Sequence, residues 1–274
     1  MIQQTDREAW KATRTGRFTA STMGKLMTEA RSKDDKAAGK LSEGALSLIK
    51  QKAVERVTKR PSHTAATWSM RRGVLLEHAA CYLLSRYWEV VYACTWMPIG
   101  ENSGATPDFL RKTGSPGDIK CKESEDVMFD LATEVADWNS LLRWNKDEAW
   151  QIATQALAAG STKATLLYFT DKLQTIRITD EEYMTCNAIM EAMGNKLLEL
   201  TGQIYDYTFN DGDGNPGFAF VAKTIDIPQE AFDRINAVLE RAEAECLKYV
   251  DLYTPIYTNA PTIEQVEAQT PSVL

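Results

Sequence analysis

The chain has 274 residues, 44% hydrophobic and 25% charged, with a formal net charge of −7. This composition is that of a globular protein long enough to bury a sizeable core. No uninterrupted apolar run approaches the ~20 residues that a membrane helix needs, and the start, MIQQTDREAW, lacks a basic-then-apolar signal pattern, so a cytoplasmic protein with no membrane partner is expected.

Five scattered cysteines without a C-x-x-C pair fit reduced thiols and argue against structural zinc or a cysteine-bound iron–sulfur cluster. Two histidines, His63 and His78, supply a Ser-His-Asp or Cys-His engine poorly, so carboxylate and lysine chemistry is the richer option. Charge is unevenly placed. Residues 1–72 hold 16 Lys and Arg against 7 Asp and Glu, a net +9, whereas residues 73–274 hold 15 against 31, a net −16. A polyanion can therefore dock on the N-terminal region.

In chain order, residues 6–14 read as a short amphipathic helix. After Thr15-Gly16, Ser21 reads as the N-cap of a helix through roughly Leu26–Ala30. A helix N-terminus carrying that hydroxyl, with Arg14 and Arg17 nearby, is a ready phosphate seat. Residues 31–40 are polar and mixed in charge and predict a flexible loop. Leu41–Lys59 has helical apolar spacing and is ended by Pro61. Trp68–Tyr87 predicts a second strong helix, with Glu77 off its apolar stripe, where it can add a carboxylate to a site on the following hairpin. Glu89–Trp96 is rich in β-formers.

The stretch Ala105–Lys122, ATPDFLRKTGSPGDIKCK, carries the chemistry. Residues alternate faces along a strand, so Asp118 and Lys120 point the same way. A turn at Gly114–Gly117 folds a hairpin that returns Asp108 beside them. Two carboxylates and an ammonium on one face are costly in a dry core. Around a hard divalent cation they make sense, with the lysine beside an attacking water or a phosphate. That pattern points to a metal-dependent phosphodiester hydrolase.

Residues 123–146 predict a partly helical excursion whose Trp138 and Trp144 can stack on bases or anchor a core. Asp147–Ala159 predicts a helix ended by Gly160. Strands are expected at Thr165–Phe169 and Leu173–Ile178, helices at Asp180–Leu200 and Pro228–Tyr249, and β-structure at Phe218–Ile227. The tail from Thr254 predicts disorder or a partner-binding peptide. Gly212–Gly217 fits G-x-G-x-x-G but precedes β-like residues rather than a helix. As a calcium loop the same stretch has Pro216 and Ala222 at positions that need Gly and Glu, so it reads as a turn.

Four blocks in order resemble the lambda exonuclease / YqaJ-type viral recombinase family of PD-(D/E)xK nucleases. Trp10–Ser21 is similar to its W-x-x-x-R-x-G-x-hydrophobic-T-A-S segment, and Gly73–Glu77 to its G-x-x-x-E helix. Pro107-Asp108 with Asp118-Ile119-Lys120-Cys121 is similar to its S-P-D and E-(L/I)-K-C, and Trp150–Gln155 to its glutamine-bearing helix. The match runs over roughly residues 8–170. Its third acid is usually Glu, one methylene longer than Asp118, and Phe109 stands where it has Gly, which bears on how closely DNA approaches.

The elements in order predict an α/β fold, with a mixed central sheet of about five strands flanked by helices and a helical C-terminal extension, and the resemblance implies that its core is restriction-endonuclease-like. The residue pattern divides the chain into a nuclease domain over 1–205, an extension over 206–253 packed on it, and a disordered tail over 254–274; the resemblance lies within the first of these. It further implies a 5′-to-3′ exonuclease of double-stranded DNA ends that works with a single-strand annealing protein and assembles as a homotrimer. By position, Glu77, Asp108, Asp118 and the Ile119 carbonyl would hold Mg²⁺, two ions, with Mn²⁺ as a substitute. Lys120 would orient or activate water, Gln151 would support it, and Arg14 and Ser21 would bind the 5′-phosphate, with Arg17 and Thr106 as further DNA contacts. The rival expectations are another PD-(D/E)xK nuclease, such as an endonuclease or a RecB-type module, and a non-catalytic DNA-end binder.

Overall fold

A hairpin and one parallel crossover set the architecture. In the structure, a computed structural model, residues 7–62, 73, 77, 80, 90–91, 95–121, 126–171 and 218–259 are described. The expected strand Leu173–Ile178, the helix Asp180–Leu200, the Gly212–Gly217 turn, most of Trp68–Tyr87 and the chain beyond 259 lie outside these residues.

Helix α1 (Arg7–Arg14) leads into β1 (Phe18–Thr19), a 3-10 turn (Ala20–Thr22) and the short α2 (Met23–Leu26). Ser21 lies inside the 3-10 turn and is not a helix cap. Thr19, with extended backbone, is the N-cap of that turn, its N–H donating to Thr22 Oγ1 (3.3 Å), and Thr22 stands at the N-cap of α2. The predicted loop at 31–40 contains a helix, α3 (Lys33–Ala37), because Ser32 caps it by accepting from the Asp35 N–H (3.0 Å) and Asp34 and Asp35 favour its first turn. Helix α4 (Glu43–Thr58) starts at the Ser42 cap and buries Ala45, Leu48, Ile49 and Ala53.

Among the described residues the central sheet has five strands in the order β2-β5-β6-β7-β8: β2 (Val90–Val91), β5 (Phe109–Arg111), β6 (Pro116–Cys121), β7 (Lys163–Asp171) and β8 (Phe218–Asp226). Among the described strands of this sheet only the β6–β7 pair is parallel. A parallel neighbour needs a crossover over the sheet. That is the work of the excursion after Cys121, which holds α5 (Asp126–Glu134), α6 (Trp138–Trp144) and α7 (Lys146–Ala158). A smaller sheet, β1-β4-β3, joins β1 in parallel to β4 (Ser103–Ala105), with β3 (Met97–Gly100) antiparallel on its other side.

Helix α7 begins at Asn145, whose side chain accepts from the Glu148 N–H (3.2 Å), and stops before Gly160 (φ +63°). It buries Trp150 edge-on against Trp138, with ring centroids 5.3 Å apart. Trp138 is therefore a core anchor and not a base-stacking platform. The last helix, α8 (Gln229–Thr258), runs past the point where the tail was expected to begin. Its buried Ala231, Phe232, Ile235, Val238, Leu239, Ala242 and Cys246 recur at helical spacing and form one stripe, and the helix packs on α4. Among the described residues no helix is long and apolar enough to cross a membrane.

Candidate active site

The β5–β6 hairpin forms as the alternation predicts, with one shift. The reversal is made at Arg111–Gly114, where Gly114 adopts φ +84° and donates its N–H to the Arg111 carbonyl (2.8 Å). Ser115, Pro116 and Gly117 are not in the bend: the Ser115 carbonyl already accepts from Arg111 (2.9 Å), and Pro116 and Gly117 pair with Leu110 and Phe109. Phe109 has no exposed surface and packs on Gly117, where an added Cβ would come within 2.0 Å of the ring. Phe109 thus faces the interior, and glycine at 117 makes room for it.

Asp108 stands one residue before β5. Its N–H donates to the Gly117 carbonyl (3.0 Å), and its Oδ2 accepts from the Ile119 N–H (2.6 Å). On β6, Asp118 is 2% exposed, and its Oδ2 lies 2.8 Å from Lys120 Nζ, so the two side chains do share a face. Gln151 links them. Its Nε2 donates to Asp118 Oδ1 (2.6 Å) while its Oε1 accepts from Lys120 Nζ (3.0 Å). One helical turn later Gln155, 1% exposed, also donates to Asp118 Oδ1 (2.8 Å). Gln155 was not expected as a site residue, although its i+4 spacing from Gln151 was the available signal. One turn before Gln151, buried Glu148 accepts from the Tyr168 hydroxyl, and Tyr168 is the β7 register partner of Lys120. Glu148, Gln151 and Gln155 thus form a polar row on the face of α7 that looks onto β6 and β7.

The electrostatics express crowding. Gly73, Glu77 and Ala80 are helical. Burial, then the nearby Asp118 charge, pushes the Glu77 carboxyl up to about 7 against a partial opposing effect of Lys120. Asp108 is raised well above the carboxylate range, by burial and by repulsion from Glu77 and Asp118, despite its bond from Ile119. For Lys120, burial alone would lower the pKa. Asp118, by charge and contact, and then Asp108 and Glu148 outweigh it and hold the pKa above its usual value, so the group is an ammonium at neutral pH.

The expected DNA-contact residues divide. Arg14 donates to Ser21 Oγ (3.0 Å) and lies over the Trp10 ring (4.3 Å). Burial lowers its pKa while Asp108 opposes the shift, which puts Arg14 within electrostatic reach of the acidic cluster. Arg17 is turned to the protein: its guanidinium donates to the Thr13 carbonyl (2.6 Å) and lies 5.6 Å over Trp96. Thr106 Oγ1 is buried with no hydrogen-bond partner among the described residues. Three of the N-terminal lysines are ion-paired within the protein, Lys36 with Glu29 and Lys40 with Asp35 at the surface and Lys52 with Glu55 in the interior.

The donor set suits a hard cation. All its side-chain donors are carboxylate oxygens, and Asp118 Oδ2, although ion-paired, is a buried atom with no aligned hydrogen bond. The acids are near one another without forming a ready-made cage: among the described residues no three His, Cys, Asp or Glu side chains converge at metal-ligand spacing.

No protein-family model matches the chain, and no curated protein matches its sequence. Solved structures do match. The alkaline exonuclease LHK-Exo from Laribacter hongkongensis aligns at TM-score 0.58 and 17% identity, over 93% of this chain and 100% of that one. The LHK-Exo complex with dAMP aligns at 0.58 and 16% identity with the same coverage. A phage-related exonuclease from Haemophilus somnus 129PT aligns at 0.54 and 17% identity, over 88% and 96%. The chain therefore has the restriction-endonuclease-like fold of these exonucleases, with the mixed five-stranded sheet that the sequence predicts.

Proposed function

We propose that this protein is a divalent-cation-dependent deoxyribonuclease that digests one strand of linear duplex DNA from its 5′ end. The product carries 3′ single-stranded overhangs of the kind that single-strand annealing uses in phage-type recombination. The observation that carries the reading is the Asp118–Lys120–Gln151 cluster, with Asp108 bonded across the hairpin to Ile119. A fold shared with exonucleases over 88–93% of the chain supports it. A single-strand annealing partner, a homotrimeric assembly and action in the cytoplasm, the host's where a phage encodes the protein, are carried from the sequence resemblance.

Glu77, Asp108 and Asp118, with the Ile119 carbonyl, would hold Mg²⁺, with Mn²⁺ as a substitute. When bound, the cation supplies Lewis-acid polarisation of the scissile phosphate and lowers the pKa of water. In the cation-free protein Asp118, Asp108 and Glu148 hold Lys120 as an ammonium. This ammonium orients the incoming water and balances negative charge developing on the phosphoryl oxygens. Gln151 fixes that ammonium through Oε1 and fixes Asp118 through Nε2, so one amide sets both groups. Arg14 and Ser21 would take the 5′-phosphate and so choose the end.

The deciding experiment is digestion of linear duplex labelled at either end, with Mg²⁺ and with EDTA, beside a closed circle. Loss of the 5′ label first, only with Mg²⁺ and with the circle intact, is the expected result. A nicked or linearised circle would identify an endonuclease instead, and no digestion under any condition would leave an end binder. Arg14→Ala should lower the preference for 5′-phosphoryl over 5′-hydroxyl ends by about tenfold, the scale of a lost charge-assisted contact. An unchanged ratio would remove Arg14 from the phosphate pocket.

A pH effect follows from Glu77. Its folded pKa of about 7 exceeds the ordinary 4.5, so the folded state binds the proton more tightly than the unfolded chain. Cation-free protein should therefore lose stability as pH rises from about 4.5 to about 7 and recover it on acidification, on the order of 1 kcal/mol between pH 8 and pH 6. Mg²⁺, which favours the ionised carboxylate, should flatten that dependence. Urea unfolding at both pH values with EDTA or Mg²⁺ measures it, and equal slopes in the two conditions would contradict it.

A further inference from the structure

The segment between Arg14 and Ser21 is held from behind by side chains distant in sequence. Gly16, in a left-handed conformation (φ +72°), has both backbone polar groups fixed by α4. Its N–H donates to Glu55 Oε2 (2.7 Å), a carboxylate also bound by Lys52 (2.8 Å), and its carbonyl accepts from Arg56 Nε (2.7 Å). Arg56 packs so closely that a Cβ on Gly16 would meet its Cγ at 2.6 Å. Two residues on, the Phe18 N–H donates to the Asn102 carbonyl (2.9 Å).

Arg56 and Asn102 converge on one carboxylate, that of Glu243 on α8. Arg56 donates to both its oxygens (2.6 and 2.7 Å) and Asn102 Nδ2 to Oε1 (3.0 Å). A bidentate guanidinium–carboxylate pair fixes direction as well as distance, and here Arg56 is 13% and Glu243 28% exposed. Burial alone would lower the Arg56 pKa, but Glu243, by hydrogen bond and charge, and other nearby groups raise it. The described hydrogen-bond partners of Glu243, Arg56 and Asn102, are not among the site residues.

We propose that Glu243 is a positioning residue for 5′-end recognition: by aligning Arg56 and Asn102 it fixes the backbone on both sides of Arg17 and so the spacing of Arg14 and Ser21. This gives the C-terminal helix a part in substrate choice and rests on the reading of Arg14 and Ser21 as the phosphate seat. The backbone between them has a glycine with positive φ and a two-residue strand, so it has little rigidity of its own.

The test compares full-length wild type, Glu243→Ala, Glu243→Gln, Arg14→Ala and the Arg14→Ala/Glu243→Ala double variant on duplexes with 5′-phosphoryl or 5′-hydroxyl ends. Glu243→Ala should lower the ratio of kcat/KM for the two ends by about fivefold or more, the scale of a lost charge-assisted bond, through KM on the phosphorylated end. Its kcat, and its rate on hydroxyl ends, should stay near wild type. Glu243→Gln keeps the shape and one acceptor oxygen and should show a smaller fall in the same direction, which carries the test if the alanine variant does not fold. In the Arg14→Ala background the Glu243 change should alter the ratio much less than in wild type, because of the two groups it positions only Ser21 remains. A fall in Arg14→Ala with no change in either Glu243 variant overturns this inference alone. Independent, multiplying effects in the double variant also overturn it, since they assign Glu243 a general structural role. An unchanged ratio in Arg14→Ala overturns the phosphate-seat reading and the inference with it.

Discussion

Lys120→Ala is expected to lower the rate of duplex digestion by about 10³-fold or more, the scale of removing one preorganised charge from a transition state, while leaving DNA-end binding nearly intact. The geometry separates the two effects. Lys120 Nζ is held by Gln151 Oε1 and Asp118 Oδ2 on the sheet, whereas Arg14 and Ser21 belong to the segment between α1 and α2. Removing the ammonium leaves Asp118 with two amide donors, Gln151 and Gln155, so the carboxylate keeps its place. Lys120→Arg should rescue little, because a planar guanidinium does not reproduce a compact ammonium between an amide oxygen and a buried carboxylate. Single-turnover digestion and filter binding on the same duplex measure both quantities. Digestion near the wild-type rate in Lys120→Ala would end the assignment of Lys120 to the reaction.

The parts of this site legible in the sequence are those set by local geometry. Asp118 and Lys120 share a face because strand side chains alternate, and Asp108 returns to them because Gly114 permits a tight reversal. The helix carrying Gln151 was legible from its apolar spacing and Gly160. What could not be read were contacts settled by packing. Ser21 looks like a cap from composition, yet Thr19 caps the 3-10 turn and Thr22 stands at the N-cap of α2, which leaves the Ser21 hydroxyl to Arg14. Gln155 was visible only as one polar residue on a half-apolar helix, and its role depends on how α7 lies across β6. The Tyr168–Glu148 bond and the Arg56–Glu243 pair join residues 20 and 187 positions apart. No periodicity reports such pairs, because they depend on which elements become neighbours. Phe109 illustrates the reverse case: its identity suggested a change at the DNA surface, but the ring is buried, and Gly117 accommodates it.

Exchanging either carboxylate of the hairpin for its neutral isostere should abolish digestion, but only one of the two exchanges should cost stability. Asp118 is surrounded by donors: two glutamine amides on Oδ1 and an ammonium facing Oδ2. In Asp118→Asn the new amide must point its own N–H groups at one of these sides, whichever way it is turned. Turning Gln151 to accept from it would remove the oxygen that holds Lys120. A buried donor left facing donors, beside a lysine that has lost its counter-charge, costs about 1–3 kcal/mol. Asp108 differs. Burial and repulsion from Glu77 and Asp118 disfavour its ionised form, so Asp108→Asn excludes that form and retains an oxygen for the Ile119 N–H. In EDTA at pH 8, urea unfolding should therefore show Asp118→Asn less stable than wild type and Asp108→Asn equal to it or more stable. Both should be inactive in Mg²⁺, because each has lost an ionised oxygen donor that the cation needs. If Asp118→Asn unfolds at the same urea concentration as wild type, the donor network around Asp118 is not what holds that carboxylate in place. If Asp108→Asn is the less stable of the two, repulsion among the acids is not the dominant force at the site.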